Sequence, residues 1–228
     1  MKDLILLHGA IGAGSQLKPL AELLSLQFNV HTLNFEGHGG RPINGVYSID
    51  RFVSNLIDFL DEIELKNVSV FGYSMGGYVA LKAAALHPGR IDSIVTLGTK
   101  FQWDTETASK EVHMLDPEKI EEKVPRFAQQ LQLLHAPLDW KDVLKGTAEM
   151  MRDLGNGAGL TDAELASVHI PVLIGIGEQD QMVSIEESKR VADLLPQGNM
   201  MVFENFQHPI DKVDLQVLRM VLLSSLFL

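Results

Sequence analysis

Short apolar runs bounded by glycine or proline alternate along this chain with longer stretches whose apolar residues recur at three- and four-residue steps. That alternation predicts buried strands of a parallel sheet joined by crossover helices, an α/β fold. The predicted strands are Leu4 to Leu7, Phe28 to Leu33, Val68 to Phe71, Ile91 to Leu97, Val172 to Ile176 and Met200 to Phe203. Helical spacing covers Ser15 to Leu26, Asp50 to Ile63, Met75 to Leu86, Ile185 to Leu195 and Asp211 to the C-terminus. In the last of these, Val213, Val217, Met220 and Leu223 fall on one face.

One interval breaks the rhythm. From about Phe101 to Val168 there is no strand pattern, only helical spacing broken by Pro117, Pro125 and Pro137 and a glycine-rich segment, Gly155 to Gly159. An insertion of that size between two strands predicts a helical lid over the carboxyl ends of the sheet, where open α/β sheets place their ligands. Thr161-Asp162-Ala163-Glu164 has the spacing of a capping box and marks the insertion's last helix. The expected division is a core of residues 1–100 and 169–228 with a cap of residues 101–168, and apolar cap residues such as Trp103 and Trp140 facing the substrate.

Between the third strand and the helix after it stands Gly72-Tyr73-Ser74-Met75-Gly76-Gly77. This is the strand, sharp turn and helix setting of a nucleophile elbow, with glycines where side chains would collide. The turn would lift the Ser74 hydroxyl above the sheet edge, beside the unpaired first-turn amides of the helix. A serine hydroxyl needs a base, and the base needs an orienting acid. His208 follows the final strand and Asp180 follows the strand Val172 to Ile176, so the chain order is serine, acid, histidine, each on a loop at the same sheet edge.

After the first strand, His8-Gly9-Ala10-Ile11-Gly12-Ala13-Gly14 supplies small residues whose amides can approach a substrate oxygen. The expected oxyanion donors are the amides of Ala10 and Met75, with Ile11 as the alternative to Ala10. Ile11 and Tyr73 are also expected at the substrate. A nucleotide-binding glycine loop is disfavoured because the G-x-G-x-x-G spacing fails at Leu17, and no Walker lysine is present. His8 is read as support for the loop, and Gly37-His38-Gly39-Gly40 as a turn that shapes backbone. His31, His87, His113, His135 and His169 show no ligand spacing, so no metal site and no cofactor is expected.

Composition narrows the partners. With 19 basic and 30 acidic side chains the formal charge is -11, which disfavours nucleic acid and anionic membrane surfaces. No cysteine is present among the 228 residues, so disulfides, thiolate metal sites and a cysteine nucleophile are excluded. The N-terminal residues lack the pattern of a signal peptide, and the closing apolar stretch, Met220 to Leu228, is too short to span a membrane. A cytoplasmic monomer or homodimer acting on a small molecule is expected.

His8-Gly9, Gly37-His38-Gly39, Gly72 to Gly77, Ile170-Pro171-Val172-Leu173 leading to Gly177 and Asp180, and Gln207-His208 together resemble the α/β-hydrolase superfamily, in its lidded, carboxylesterase-like form. The resemblance implies a six-stranded, mostly parallel sheet, a Ser74 nucleophile, a His208 base and an Asp180 acid, acting on an ester with an apolar acyl or alcohol group. Carbon-carbon bond hydrolysis, a lyase step, thioester cleavage and perhydrolysis use the same groups, and a ligand-binding homologue without catalysis remains an alternative. Dehalogenation of a haloalkane is disfavoured, because it needs a carboxylate where Ser74 stands. Three departures from family habit are expected: the leading antiparallel hairpin of larger members is missing, Asn34-Phe35-Glu36 replaces an aspartate before the Gly-His-Gly turn and stands at the pocket rim, and Gln207 replaces a glycine before His208. Some relatives place the acid after an earlier strand, which makes Asp104, beyond Ile91 to Leu97, the alternative acid.

Overall fold

The computed structural model describes residues 1–226. Six strands, β1 (Lys2–Leu7), β2 (Phe28–Leu33), β3 (Val68–Tyr73), β4 (Ile91–Leu97), β5 (Val172–Gly177) and β6 (Gly198–Phe203), form one sheet in the order β2-β1-β3-β4-β5-β6. Every neighbouring pair is parallel. Each predicted strand is present, with ends that differ by no more than 2 residues.

Successive residues of a strand point to opposite faces, and both faces are covered. Ile5, Leu7, Val68 and Val70 enter a core with α2 (Ile49–Glu62), α3 (Met75–Leu86) and α9 (Ile185–Leu194). Leu4, Leu6 and Phe71 enter the other core, with α1 (Lys18–Leu24) and α10 (Leu215–Leu226). A 3-10 turn at Gly14–Leu17 precedes α1, so the first predicted helix is partly of this tighter form.

The last helix corrects its predicted face. Val213 precedes α10 as extended backbone after a 3-10 turn, Ile210–Lys212, and the helical phase starts only at Leu215. Leu218, Leu222 and Leu226 are therefore the buried stripe, while Val217 and Met220 are exposed. Phe227 and Leu228, the end of the predicted apolar stretch, lie outside the described residues. Among the described residues no helix is long and apolar enough to cross a membrane.

Between β4 and β5 the chain forms α4 (Thr105–Met114), α5 (Pro117–Lys123), α6 (Pro125–His135), α7 (Trp140–Gly155) and α8 (Asp162–Ala166). Pro117 and Pro125 each occupy a first helical turn, where a missing N–H costs nothing, so they start helices as well as end them. The expected capping box opens α8: Glu164 N–H donates to Thr161 Oγ1, and the Glu164 carboxylate accepts from Thr161 N–H. Glu164 also pairs with Lys82 of α3, and Leu160 N–H donates to the Tyr78 hydroxyl. The glycine-rich segment before α8 is thus tied to the helix behind Ser74.

Candidate active site

Ser74 is the single residue between β3 and α3, at φ 51° and ψ -118°. A non-glycine residue in that region costs on the order of 1–3 kcal/mol and persists only where its surroundings hold it. Ser74 N–H donates to the Leu97 carbonyl at 2.8 Å, and the Thr99 hydroxyl and Gly77 N–H both donate to the Ser74 carbonyl. The flanking glycines are required by close approach. A β-carbon on Gly72 would overlap the Gly76-Gly77 backbone, and one on Gly76 would overlap the Leu7 carbonyl of β1.

Asp180 and His208 meet as their chain positions predict. Asp180 Oδ2 lies 2.8 Å from His208 Nδ1, with side-chain exposures of 1% for the aspartate and 12% for the histidine. Its other oxygen accepts from the Met182 and Val183 amides, which fixes the carboxylate plane. An ionised carboxylate only accepts, so Nδ1 carries the hydrogen and Nε2 is left as an acceptor. Behind the pair, the Tyr73 hydroxyl donates to the His208 carbonyl at 3.0 Å. Burial, with the Asp180 charge next, pushes the Tyr73 phenol up, so it stays a neutral donor. Asp104 is elsewhere: it caps α4 by accepting from Thr107 N–H and is exposed.

The loop after β1 is held at several points. Gly12 N–H donates to the Gly9 carbonyl, Ala13 N–H to Gln16 Oε1 and Gly14 N–H to Asn34 Oδ1. Ile11 adopts φ 51°, unusual for a β-branched residue and worth about 1–2 kcal/mol of strain. His8 is buried, with Nδ1 2.8 Å from the Gly9 carbonyl and Nε2 accepting Phe35 N–H at 3.2 Å. The carbonyl acceptor and the amide donor together fix one neutral tautomer. Burial holds His8 at about 4, the neighbouring His135 adding to it and the Gly9 bond opposing.

Sequence spacing did not bring three histidines together, and the fold does. The rings of His8 and His38 are 5.2 Å apart and those of His38 and His135 are 5.9 Å apart. His38 is fully buried, and burial followed by the His8 charge holds it well below its ordinary value. Asn34 and Glu36 also turn out to be structural: Asn34 joins the Gly14 amide to the Gly39 carbonyl, and the Glu36 carboxylate pairs with Arg51. Neither lines the cavity described next, contrary to the expectation of a rim role.

A cavity of about 710 Å3 lies between the strand-end loops and the inserted helices. Ser74, Met75 and His208 line it together with Ala10, Ile11 and Tyr73. From the insertion come Trp103, Met114, Leu131, Leu134, Met150 and Met151. Trp140 corrects its expected role: it is buried in a separate cluster with Ile120, Ala128, Leu131 and Leu144, and is not among the lining residues. Phe101 likewise stacks on Tyr78 instead of facing the cavity. Lys100 and Glu111, an ion pair at 3.3 Å, and Gln130 are polar residues in this wall. Among the described residues no cluster of histidine and acidic side chains could hold a metal ion.

This sheet, with a strained serine between β3 and α3 and an Asp-His pair on the loops after β5 and β6, defines an α/β-hydrolase fold enzyme. A family model described as serine aminopeptidase, S33, matches residues 2–211, and the chain belongs to that family. It is 24% identical over 226 residues to a pimeloyl-[acyl-carrier protein] methyl ester esterase of Aliivibrio salmonicida, covering 90% of this chain and 85% of the relative. Among solved structures it is similar to a thermophilic esterase from Thermogutta terrifontis, with TM-score 0.76, 21% identity and coverage of 99% and 90%. It is also similar to a 2-hydroxy-6-oxo-6-phenylhexa-2,4-dienoate hydrolase from a Rhodococcus species, with TM-score 0.81, 18% identity and coverage of 100% and 91%. At these identities the two structures establish the fold.

Proposed function

We propose that the protein is a serine esterase that cleaves a small carboxylic ester through an acyl-enzyme. The observation that carries this reading is the Asp180-His208 hydrogen bond at the wall of the cavity that Ser74 also lines. With Nδ1 committed to Asp180, Nε2 is the nitrogen free to take the Ser74 proton as Oγ attacks the substrate carbonyl. Asp180 holds the productive tautomer and stabilises the imidazolium that forms. The developing oxyanion is received by the amide of Met75, which has no carbonyl partner within its own helix, and by that of Ala10. His208 then protonates the leaving alcohol, and water releases the acid by the same steps in reverse.

The α4–α8 insertion acts in this reading as a cap whose apolar wall receives the acyl or alcohol group of a small-molecule substrate. A cavity of about 710 Å3 lies within the usual range for such ligands. The test is turnover of a panel of p-nitrophenyl esters, thioesters and diketones, together with labelling by a fluorophosphonate. Ester turnover and a Ser74 adduct are expected, and Ser74→Ala is expected to lose on the order of 10³-fold or more in kcat while folding normally. Undiminished turnover by that variant would overturn the assignment, and diketone cleavage without ester cleavage would replace it with carbon-carbon hydrolysis. No adduct and no turnover would favour a ligand receptor.

A further inference from the structure

Ile11 keeps its left-handed backbone against the preference of a β-branched side chain, so something must hold it there. Within the loop, the bond from Gly12 N–H to the Gly9 carbonyl closes the turn around Ala10 and Ile11. The second restraint comes from the insertion, 124 residues further along the chain. His135, the last residue of α6, is fully buried, with Nε2 2.9 Å from the Ile11 carbonyl and Nδ1 3.0 Å from the Gly39 amide nitrogen. The amide can only donate, so Nδ1 is unprotonated. Nε2 therefore carries the hydrogen and donates to Ile11. One neutral tautomer satisfies both partners, and the His135 ring also packs edge-on against His38.

Ile11 lines the cavity beside Ser74, and His135 does not. We infer that His135 is a positioning residue through which the inserted helices hold the loop of residues 9 to 14 in its oxyanion-binding shape. A carbonyl fixed in space fixes the peptide plane on its far side and, with the Gly9-Gly12 turn closed, the rotation of the Ile11 backbone between them. Without the imidazole, Ile11 can return to negative φ, and the amides of Ala10 and Ile11 swing away from the substrate oxygen. The docking of α6 is thereby a condition for a formed site, and α6 contributes to the reaction through His135, which stays outside the cavity, as well as through Leu131 and Leu134 in its wall.

The catalytic consequence rests on the acyl-enzyme reading above; the structural coupling does not. The experiment compares the full-length protein with His135→Gln, His135→Asn and His135→Ala, by ester kinetics and by hydrogen exchange of the amides of residues 10 to 14 and of Gly39. Glutamine presents an oxygen acceptor and an N–H donor spaced much like the two ring nitrogens, so His135→Gln is expected to keep kcat within about 5-fold of wild type. His135→Ala is expected to lower kcat by about 100-fold with KM within about 2-fold, since a displacement on the order of 1 Å at a reacting centre has that effect. Exchange of Gly39 and of the loop is expected to accelerate at least about 10-fold, with β1 and β3 unchanged. If His135→Ala does not fold, His135→Asn carries the comparison, because its shorter side chain cannot reach both partners and is expected to lose kcat where glutamine retains it. Wild-type kcat and loop exchange in the folded alanine variant, equal losses in the glutamine and alanine variants, or a loss confined to KM would each overturn the inference. A wild-type protein with no ester turnover and no phosphonate adduct would instead refute the acyl-enzyme reading, and the exchange measurements would still decide the role of His135.

Discussion

Lowering the pH from 7.5 to 5.0 at constant ionic strength is expected to cost the fold about 2 kcal/mol through His8. In the folded protein burial, reinforced by His135 and opposed by the Gly9 bond, holds His8 at about 4, against 6.5 when free. Between those two values the unfolded chain binds a proton that the folded chain does not. Stability is therefore present in full above 6.5 and is lost as the pH falls toward 4. At pH 5.0 the proton-binding advantage of the unfolded state is a factor of about 30, or about 2 kcal/mol, and at pH 7.5 it is close to nothing. His38 and His135, both held below their ordinary values mainly by burial, act in the same direction.

Urea unfolding followed by circular dichroism at pH 7.5, 6.5, 5.5 and 5.0 measures the effect. With a slope of about 2–3 kcal/mol/M, the midpoint should fall by roughly 0.7–1 M across the series. The carboxylates do not mimic this signal. Glu36, where burial is outweighed by the Arg51 and Asn44 hydrogen bonds, and Glu164, where it is outweighed by Lys82 and Thr161, both lie below their ordinary value, so their share is lost only at more acid pH. A midpoint independent of pH down to 5.0, or a loss that begins only near pH 4, would refute the account of a histidine cluster kept neutral by burial.

Other substitutions separate the parts of the structure. Asp180→Asn should leave the fold intact and lower kcat on the order of 10³ to 10⁴-fold by favouring the wrong His208 tautomer, whereas Asp104→Asn should leave kcat unchanged; steady-state kinetics on one ester decide between the two acids. Gly76→Ala drives a β-carbon into the Leu7 carbonyl, a backbone group that cannot rotate away, and should destabilise by about 1–3 kcal/mol in urea unfolding; a neutral result would mean that β1 and α3 can separate freely. Leu144→Ala empties a fully buried position of α7 within the Trp140 cluster and should cost about 2–5 kcal/mol by the same measurement.

What could be read in the sequence follows the range of the interactions involved. The six strands were legible because a strand covered on both faces is a short, largely apolar run bounded by turn residues, as Val172 to Ile176 is throughout and Ile91 to Leu97 is apart from Asp92, Ser93 and Thr96. The elbow was legible for a similar reason: its strain is accommodated by glycines two residues away, inside one hexapeptide. Asp180 and His208 were found because parallel strands deliver the loops that follow them to a common edge. Helix α10 misled because Val217, Met220 and Val221 place apolar residues off the buried stripe, and the 3-10 turn before Leu215 shifted the phase. Trp140 misled because a large apolar residue in an insertion fits equally well a cavity wall and the insertion's own small core.

The two strained non-glycine residues at the cavity, Ser74 and Ile11, share the same φ of 51° and are held by opposite means. Ser74 is fixed by its sequence neighbours and by β4, which any chain with this sheet supplies. Ile11 packs its side chain against the main core and the Trp140 cluster, and its carbonyl is held by His135, 124 residues further along the chain. On the proposed mechanism, the attacking hydroxyl is built from a local motif, whereas the inferred role of His135 makes the oxyanion loop depend on how the insertion packs. Replacing the insertion while keeping the elbow and the Asp180-His208 pair should therefore preserve the nucleophile's geometry and lose the oxyanion loop's. Phosphonylation of Ser74 would be slowed in such a chimera and restored where the new segment again offers one acceptor to Gly39 and one donor to Ile11. Undiminished labelling without that pair of contacts would show that the loop holds itself.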